Sequence, residues 1–326
     1  MIIEKILKQL TSERIEKEIK AIQKVKLPPE LQKWVKEYEK VGDRDEFIWK
    51  WIFKIPQINT FSSVSQKYLI SLQNTKFLVS MFFILIDDIS DKMKNKKLLD
   101  TLMAISFSSN LIQLNSLSSK EKKYFQLTIK LWNHIEKEIK KYPRYKKFRD
   151  IFIYDFRQTT NAMLYAYLIN KNLTLINNTE YWLYAPHGFQ GMVYSTLDLM
   201  CSPSFNIKEL RPVREIIWRT QIMIGIGNWV STWERELKDN DFTSGVFIYA
   251  LNFKVLTTDD FKKENEPDVV KKIKESKIEK RLLEKWGSNY NEINKIGKKI
   301  RTINIRKFLR GLKKLLVLEM SSKGHK

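Results

Sequence analysis

The sequence predicts an all-α protein, and three observations support this fold class. The chain of 326 residues has only 10 glycines and 8 prolines, so few positions favour turns. The alternation of apolar and polar residues that is typical of β-strands is scarce, whereas apolar residues recur at helical spacing. Hydrophobic residues make up 43% and aromatic residues 12% of the sequence, which argues against disorder. We therefore expect packed helices.

Breaks in the apolar pattern place the helices. Residues 1–25 predict a first helix that Pro28 and Pro29 end, and residues 29–54 predict two short helices that end before Pro56. Further helices are expected at 64–86, 98–115, 119–141, 145–170, 208–237, 245–252, 263–286 and 288–320, and on both sides of the Pro186–Gly188 break within 180–194.

Length, cysteine content and the N-terminal segment bound the organisation of the chain. We expect a single domain over residues 1–326, with an N-terminal helix within 1–28, because no repeat or low-complexity linker occurs. Cys201 is the only cysteine, which excludes an internal disulfide and favours a cytoplasmic location.

The longest apolar run, 77–86, has about half of the roughly 20 residues that are needed to cross a bilayer. Neither export nor a transmembrane segment is expected.

The formal net charge of +22 favours contact with anions. Lysines are spread from Lys5 to Lys326, whereas nucleic-acid-binding proteins concentrate basic residues in a patch or a motif. We expect no specific nucleic-acid partner. The densest patches, 92–97 and 137–147, are the places where transient contact with an acidic membrane surface is expected.

The segment 77–91 joins an apolar helix to an acidic cluster. Its apolar residues lie on all sides of a helix, which indicates burial, and the run ends in Asp87, Asp88 and Asp91. An uncompensated buried carboxylate is costly, so a cation is expected beside it. On a continuing helix Asp87 and Asp91 would share a face about 6 Å apart, which suits Mg²⁺. The alternative is a solvated acidic loop at a helix end.

A second set of oxygen ligands follows in the segment 221–236. Asn228, Thr232 and Glu236 lie four residues apart and form one row on a helix face. The alternative is a core amide, a capping hydroxyl and a surface carboxylate that are aligned by chance. Gly225 precedes Asn228 by one turn, so its missing side chain makes room for a ligand or for close helix packing.

Together, the two segments resemble the metal-binding motifs of class I terpene synthases, the aspartate-rich DDxxD motif and the Asn/Asp, Ser/Thr, Glu triad. In this chain the motifs read Asp87-Asp88-Ile89-Ser90-Asp91 and Asn228, Thr232, Glu236. The order and separation of the motifs extend the resemblance over roughly residues 40–315. It implies a single-domain helical bundle of the microbial type around a central active-site cavity.

The resemblance also implies a reaction. A linear prenyl diphosphate, farnesyl or geranylgeranyl diphosphate, would be ionised, and the carbocation would be cyclised or rearranged to a terpene hydrocarbon or alcohol with release of diphosphate. The enzyme would be a carbon–oxygen lyase, active as a monomer or homodimer. The resemblance implies that the catalytic residues are Asp87, Asp88, Asp91, Asn228, Thr232 and Glu236, and that all but Asp88 bind Mg²⁺, with three ions around the diphosphate or Mn²⁺ in their place.

For the diphosphate, the chain departs from the family at one position. The family usually has an arginine sensor where this chain has Trp182, and no arginine occurs between Arg157 and Arg211. His187 is the nearby cationic candidate, although a single histidine is more often a core residue.

Other diphosphate-binding and cavity residues are expected from the same resemblance. Arg235 matches a basic residue just before the triad glutamate, and Arg306 or Arg310 would replace the family's C-terminal Arg–Tyr pair. Aromatic faces stabilise cations by roughly 0.5–2 kcal/mol each. The cavity residues expected to face the substrate are Phe83, His187, Phe189, Tyr194 and Gly225; core packing is the alternative for the aromatic ones.

Two other functions stay open at this stage. Chain-elongating trans-prenyltransferases share the helical fold but carry a second aspartate-rich motif where this chain has its triad. A non-enzymatic, basic all-α protein that binds nucleic acid or membranes would fit the charge, but it leaves the two oxygen-rich segments unexplained.

Overall fold

The computed structural model describes residues 2–93, 95–105 and 117–325, apart from the side chains of residues 91–93 and 263. Helices dominate, and no β-strand occurs in these ranges, so the all-α prediction is confirmed. The helices are α1 (Ile2–Leu7), α2 (Ser12–Gln23), α3 (Pro29–Tyr38), α4 (Glu46–Asn59), α5 (Leu69–Asp87), α6 (Lys96–Ala104), α7 (Ser119–Ile139), α8 (Tyr145–Lys171), α9 (Asn178–Tyr184), α10 (Gly191–Met200), α11 (Leu210–Lys238), α12 (Gly245–Asn252), α13 (Glu266–Glu275), α14 (Ile278–Ile296) and α15 (Ile305–Ser321).

The N-terminal segment differs from the expected single helix. It forms α1 and α2, and Thr11 begins α2 by accepting a hydrogen bond from the backbone N–H of Arg14 at 3.3 Å. Pro29 starts α3 because a proline at the first helical position lacks only an N–H that would have no helical partner. The predicted end before Pro56 is also wrong: α4 continues through Pro56 to Asn59.

The predicted boundaries of the C-terminal helices are wrong as well. Lys277 adopts a left-handed conformation with φ of 61° and separates α13 from α14, inside the helix predicted at 263–286. The helix predicted at 288–320 is interrupted after Ile296. The Glu209 carboxylate holds this interruption by accepting hydrogen bonds from the backbone N–H groups of Arg301 (2.9 Å) and Thr302 (3.1 Å).

Most other helices match the prediction within a few residues. The predicted helix 98–115 begins at Lys96 in α6, and its residues 106–116 lie outside the described ranges. The break predicted at Pro186 and Gly188 is present as a 3₁₀ turn over Ala185–Phe189 between α9 and α10.

Two helices occupy the centre of the fold. Helix α5 packs against α4, α7, α8 and α10, and helix α11 packs against α10, α12, α14 and α15. In the described part of the chain, one helical segment, Gln66–Ser90, is long and apolar enough to cross a membrane, with a mean hydropathy of 1.7. Two thirds of its most apolar window is buried inside the protein, as is usual for the core helix of a globular protein.

Candidate active site

A cavity of about 370 Å³ lies between α4, α5, α8, α10 and α11. Each helix contributes a stripe of residues at helical spacing. From α5 the lining residues are Lys76, Ser80, Phe83, Ile84 and Asp87; from α11 they are Ile217, Thr220, Ile224, Asn228, Trp229, Thr232, Arg235 and Glu236, and Asp239 follows directly after the helix.

The cavity has an exposed mouth and a buried inner end. At the mouth, the Asp87 side chain is 35% exposed, whereas Lys76 and Asp198 at the inner end are each 2% exposed. Lys76 and Asp87 are eleven residues apart on α5, which corresponds to about 16 Å along the helix axis. Asp87 therefore lies at the mouth. The end of α11 that carries Glu236 lies there too, because the side chain of the neighbouring Arg235 is 40% exposed, and the apolar wall continues inward.

Asp87 and Asp88 have different surroundings although they are neighbours in sequence. Both carboxylates bind Arg44, which contacts Asp87 Oδ2 through Nη2 at 2.8 Å and Asp88 Oδ1 through Nε at 2.7 Å. Asp88 is buried, does not line the cavity, and accepts hydrogen bonds from the hydroxyls of Tyr38 (2.5 Å) and Tyr124 (3.4 Å). Of this pair, only Asp87 faces the cavity.

Arg44 supplies the positive charge that the sequence required beside these carboxylates. Burial opposes the charge of Arg44, but Asp87 and Asp88 more than offset it, and the pKa of Arg44 is raised. Burial and the Asp88 charge also raise the pKa of Tyr38, so this phenol stays a hydrogen-bond donor. After Asp87 the helix widens into a π-helical turn, a feature that is frequent at functional sites. The side chain of Asp91 lies outside the described part of the structure.

The structure brings the three triad residues together on one face of α11. Thr232 Oγ1 donates a hydrogen bond to Glu236 Oε1 at 2.6 Å and lies 3.5 Å from Asn228 Oδ1. Glu236 is 7% exposed, and its Oε2 makes no hydrogen bond of normal geometry with a described residue. Burial raises the pKa of Glu236 to about 8; repulsion from Asp241 adds to this effect, whereas Thr232 and Arg235 oppose it.

These donors fit a hard divalent cation. An amide oxygen, a hydroxyl and a carboxylate are the kinds of ligand that Mg²⁺ takes in proteins. The Glu236 carboxylate is buried with one oxygen unpartnered, an arrangement that a bound cation would relieve. Among the described residues no three His, Cys, Asp or Glu side chains form a cluster that could hold a metal ion, so Asn228 and Thr232 would have to act as ligands.

Of the arginines expected to bind diphosphate, the structure places one at the cavity. Arg235 lines the mouth and contacts Asp239 Oδ2 at 3.0 Å and Glu236 Oε1 at 3.7 Å. Arg306 and Arg310 are exposed and do not line the cavity. The reason is helical periodicity, because α15 turns Phe308 toward the cavity and so directs positions 306 and 310 to solvent.

The expected cavity aromatics are on the wall, but two other expected residues are not. Phe83, Phe189 and Tyr194 line the cavity. Gly225 does not; a Cβ atom there would lie 2.6 Å from the Phe189 ring, so this glycine makes room for Phe189. His187 also lies off the wall.

The His187 ring packs on Trp218 at 5.0 Å between ring centroids. Burial lowers the pKa of His187 to about 4; Asp155 opposes this shift and Arg214 adds to it. The imidazole is therefore neutral at pH 7 and does not supply the cation that the missing arginine would have supplied.

The sequence analysis did not name several charged residues that line the cavity, among them Arg44, Lys76 and Asp198. Arg44 lies between α3 and α4 among ordinary loop residues, and nothing in its neighbourhood marks it. Lys76 and Asp198 form a buried ion pair with 2.5 Å between Nζ and Oδ1. These two had a signal: each is the only charge in a long apolar stretch, and a buried charge requires a partner.

Comparison with known proteins agrees with this geometry. No curated protein matches the chain. A family model described as terpene synthase family 2, C-terminal metal binding, matches residues 78–262. The match covers more than half of the chain and includes Asp87 and the whole triad. The chain therefore belongs to the terpene synthase family.

Proposed function

We propose that this protein is a class I terpene synthase that ionises a prenyl diphosphate with Mg²⁺ and closes or rearranges the resulting carbocation. The observation that carries the proposal is the shared cavity. Asp87, Asn228, Thr232 and Glu236 line its mouth, and aromatic and aliphatic side chains line most of the remainder. A prenyl diphosphate has the same polarity, with a strongly anionic head and an apolar chain.

The oxygen atoms at the mouth are the proposed metal ligands. Asp87, Asn228, Thr232 and Glu236 would hold Mg²⁺, which when bound neutralises charge on the leaving diphosphate. Among the described residues, Arg44 and Arg235 are the arginines on the cavity wall, so the recognition of diphosphate falls to them. This assignment offers a replacement for the arginine that the family usually has at the position of Trp182.

The cavity wall protects and guides the cation. Phe83 packs against Phe156 at 4.6 Å between ring centroids, and Phe189 packs edge-on against Trp229 at 5.5 Å. These contacts fix the rings, whose faces attract a cation. We propose farnesyl or geranylgeranyl diphosphate as the substrate, and a cytoplasmic enzyme that consists of one domain.

The test is an incubation with geranyl, farnesyl and geranylgeranyl diphosphate in turn. Diphosphate release and hexane-extractable products are measured, the latter by gas chromatography with mass spectrometry. We expect both with at least one substrate in the presence of Mg²⁺, and neither in EDTA. Absence of diphosphate release with all three substrates, or undiminished release in EDTA, would contradict the proposal.

A further inference from the structure

The inner end of the cavity contains a polar group that metal binding does not use. It consists of Lys76 and Ser80 from α5 and Tyr194 and Asp198 from α10, which all line the cavity. A cavity that had only to enclose a hydrocarbon would not need a charged pair at its buried end. Replacing a buried ion pair by apolar residues is often neutral or stabilising, so this pair is weak evidence for a purely structural role.

The contacts of the group are specific. Lys76 Nζ lies 2.5 Å from Asp198 Oδ1 and 3.3 Å from the Thr60 hydroxyl, and it lies 5.8 Å from the centroid of the Tyr194 ring. Asp198 Oδ2 accepts a hydrogen bond from the backbone N–H of Phe61 at 3.0 Å. The Tyr194 hydroxyl is hydrogen-bonded to Ser80.

A second ion pair with a buried carboxylate, between Asp155 and the partly exposed Arg214, shows what is unusual about Asp198. Asp155 binds Arg214 through both oxygens, at 2.7 and 3.0 Å, and also accepts a hydrogen bond from Thr196 at 2.7 Å. Neither Asp155 nor Arg214 lines the cavity. Asp198 Oδ1, in contrast, has the Lys76 charge beside it but no hydrogen bond of normal geometry, and its carboxylate faces the cavity.

We propose that Asp198 is the proton acceptor that ends the reaction at the inner end of the cavity, with Lys76 as the residue that positions its carboxylate. This inference rests on the proposed function. A C–H bond next to the cationic carbon breaks, its electron pair forms a C=C bond, and the proton moves to Asp198 Oδ1. The products are a neutral olefin and a neutral carboxylic acid beside the Lys76 ammonium group. The acid returns its proton to water when the product leaves.

Charge and position support this role. In the proposed function the diphosphate head binds at the mouth, so the far end of the prenyl chain points inward, toward the Asp198 carboxylate, whose partner Lys76 lies about 16 Å from Asp87 along α5. Burial raises the pKa of Asp198, whereas Lys76 and the Phe61 N–H oppose this shift. Burial thus strengthens the carboxylate as a proton acceptor, while the ammonium group favours its charged form.

The test compares two readouts in Asp198→Asn. We expect diphosphate release within about fivefold of the wild-type rate, because ionisation occurs at the mouth. The share of the main wild-type product should fall at least tenfold, with other olefins or water-captured alcohols in its place, since a positioned base contributes about 10²–10⁴-fold to a proton transfer.

Two further variants make the outcome interpretable. The double variant Lys76→Met/Asp198→Leu replaces the ion pair by apolar side chains, so neither charge is left buried without a partner. It serves as the test if Asp198→Asn does not fold, and it should show the same change in product. Asp155→Asn breaks the ion pair that lies off the cavity and should keep the wild-type product profile.

An unchanged product profile in both Asp198 variants, with diphosphate still released, would overturn the inference and leave the proposed function intact. No diphosphate release by the wild-type protein with any prenyl diphosphate would reject the proposed function, and the inference with it.

Discussion

At the scale of single residues, the surroundings of a carboxylate determine its role more than its motif does. Asp87 and Asp88 are adjacent and share Arg44, yet Asp87 opens to the cavity and Asp88 is enclosed by tyrosine hydroxyls. Asp88 therefore holds Arg44 at the end of α5, while Asp87 is the one of the two carboxylates that faces the cavity. The motif alone gives both residues the same weight.

The triad provides the first prediction, because a shared ion makes its residues act as a unit. Asn228→Ala and Glu236→Gln should each lower kcat by at least about 100-fold, or about 2.7 kcal/mol. The double variant should be little worse than the poorer single variant, since losses through one ion do not add. Steady-state kinetics at saturating Mg²⁺ measures kcat for the two single variants and the double variant.

A residue of the same helix serves as the control. Trp233 is fully buried, donates from Nε1 to Glu279 Oε1 at 2.6 Å and does not line the cavity. Trp233→Phe should lower the midpoint of thermal unfolding and leave kcat nearly unchanged. Near-wild-type turnover in both triad variants would mean that the triad is only a row of polar side chains.

His187 gives a prediction for pH. Its folded-state pKa of about 4 lies below the ordinary value of 6.5, so between these values the unfolded chain binds a proton that the folded protein does not. Wild-type stability should fall as the pH decreases through this window, by at most roughly 3 kcal/mol. The partial exposure of the ring reduces this figure.

His187→Phe removes the titrating group and retains a ring against Trp218. The variant should therefore gain stability relative to the wild type as the pH falls from 7 to 4.5. Asp155 and Arg214, the charges facing His187, are present in both proteins, so their own titration largely cancels. Urea unfolding at several pH values measures the difference, and a difference that does not change with pH would contradict the assignment.

At the scale of secondary-structure elements, the sequence predicted the positions of most helices well but predicted several breaks between helices poorly. Apolar periodicity placed α5, α8, α11 and α12 within a few residues, because these helices are fixed by the faces that they bury. The break at Lys277 has no glycine or proline to mark it. The interruption after Ile296 has a local signal in Gly297, but it also depends on Glu209, a residue far away in sequence. Tertiary contacts of this kind are not visible in local composition.

The difference between local helical periodicity and contacts distant in sequence also explains which part of the candidate site was predictable. Asn228, Thr232 and Glu236 lie on one helix, so their row follows from helical geometry and the structure shows it. Arg44 reaches the cavity from a loop, and its partners lie more than 40 residues away, so no spacing indicates it. The resemblance implied Arg306 and Arg310 but did not indicate which face of α15 they occupy. Both lie on the solvent-exposed face of the helix.

The joint at Lys277 gives a prediction about stability. A non-glycine residue with φ of 61° is strained, and Lys277 is exposed, so Lys277→Gly removes the strain without removing packing. It should raise the free energy of unfolding by about 0.5–1 kcal/mol. Glu284→Gly, at an exposed position inside α14, should lower it by about 1 kcal/mol. Chemical denaturation of both variants measures the signs; destabilisation by Lys277→Gly would contradict the role of this joint.

At the scale of the whole molecule, the candidate site joins helices that are distant in the chain. Asp87 ends α5 and Glu236 is near the end of α11. Both helices contribute to the wall of one cavity, together with α4, α8 and α10. The net charge of +22 favours the approach of anions to the protein as a whole. In the proposed function, the carboxylates at the mouth would bind metal together with phosphate oxygens.

Because the candidate metal ligands come from both α5 and α11, we expect ligand binding at the mouth to change the stability of the whole protein. Arg44 already neutralises Asp87, so EDTA alone should change the midpoint of thermal unfolding very little. Mg²⁺ with inorganic diphosphate should bind across α5 and α11. At about 100 times the dissociation constant this binding contributes about 2.7 kcal/mol, which corresponds to roughly 5 °C for a chain of this size.

Either ligand alone should give a much smaller shift, because the ions need oxygens from both the protein and the diphosphate. Differential scanning fluorimetry with Mg²⁺, diphosphate, both and neither measures these shifts, and Glu236→Gln should lose most of the combined effect. Equal shifts from diphosphate with and without Mg²⁺ would indicate that arginines alone bind the anion, through Arg44 and Arg235. In that case the carboxylates at the mouth would hold the arginines in place, and metal would have no part in binding.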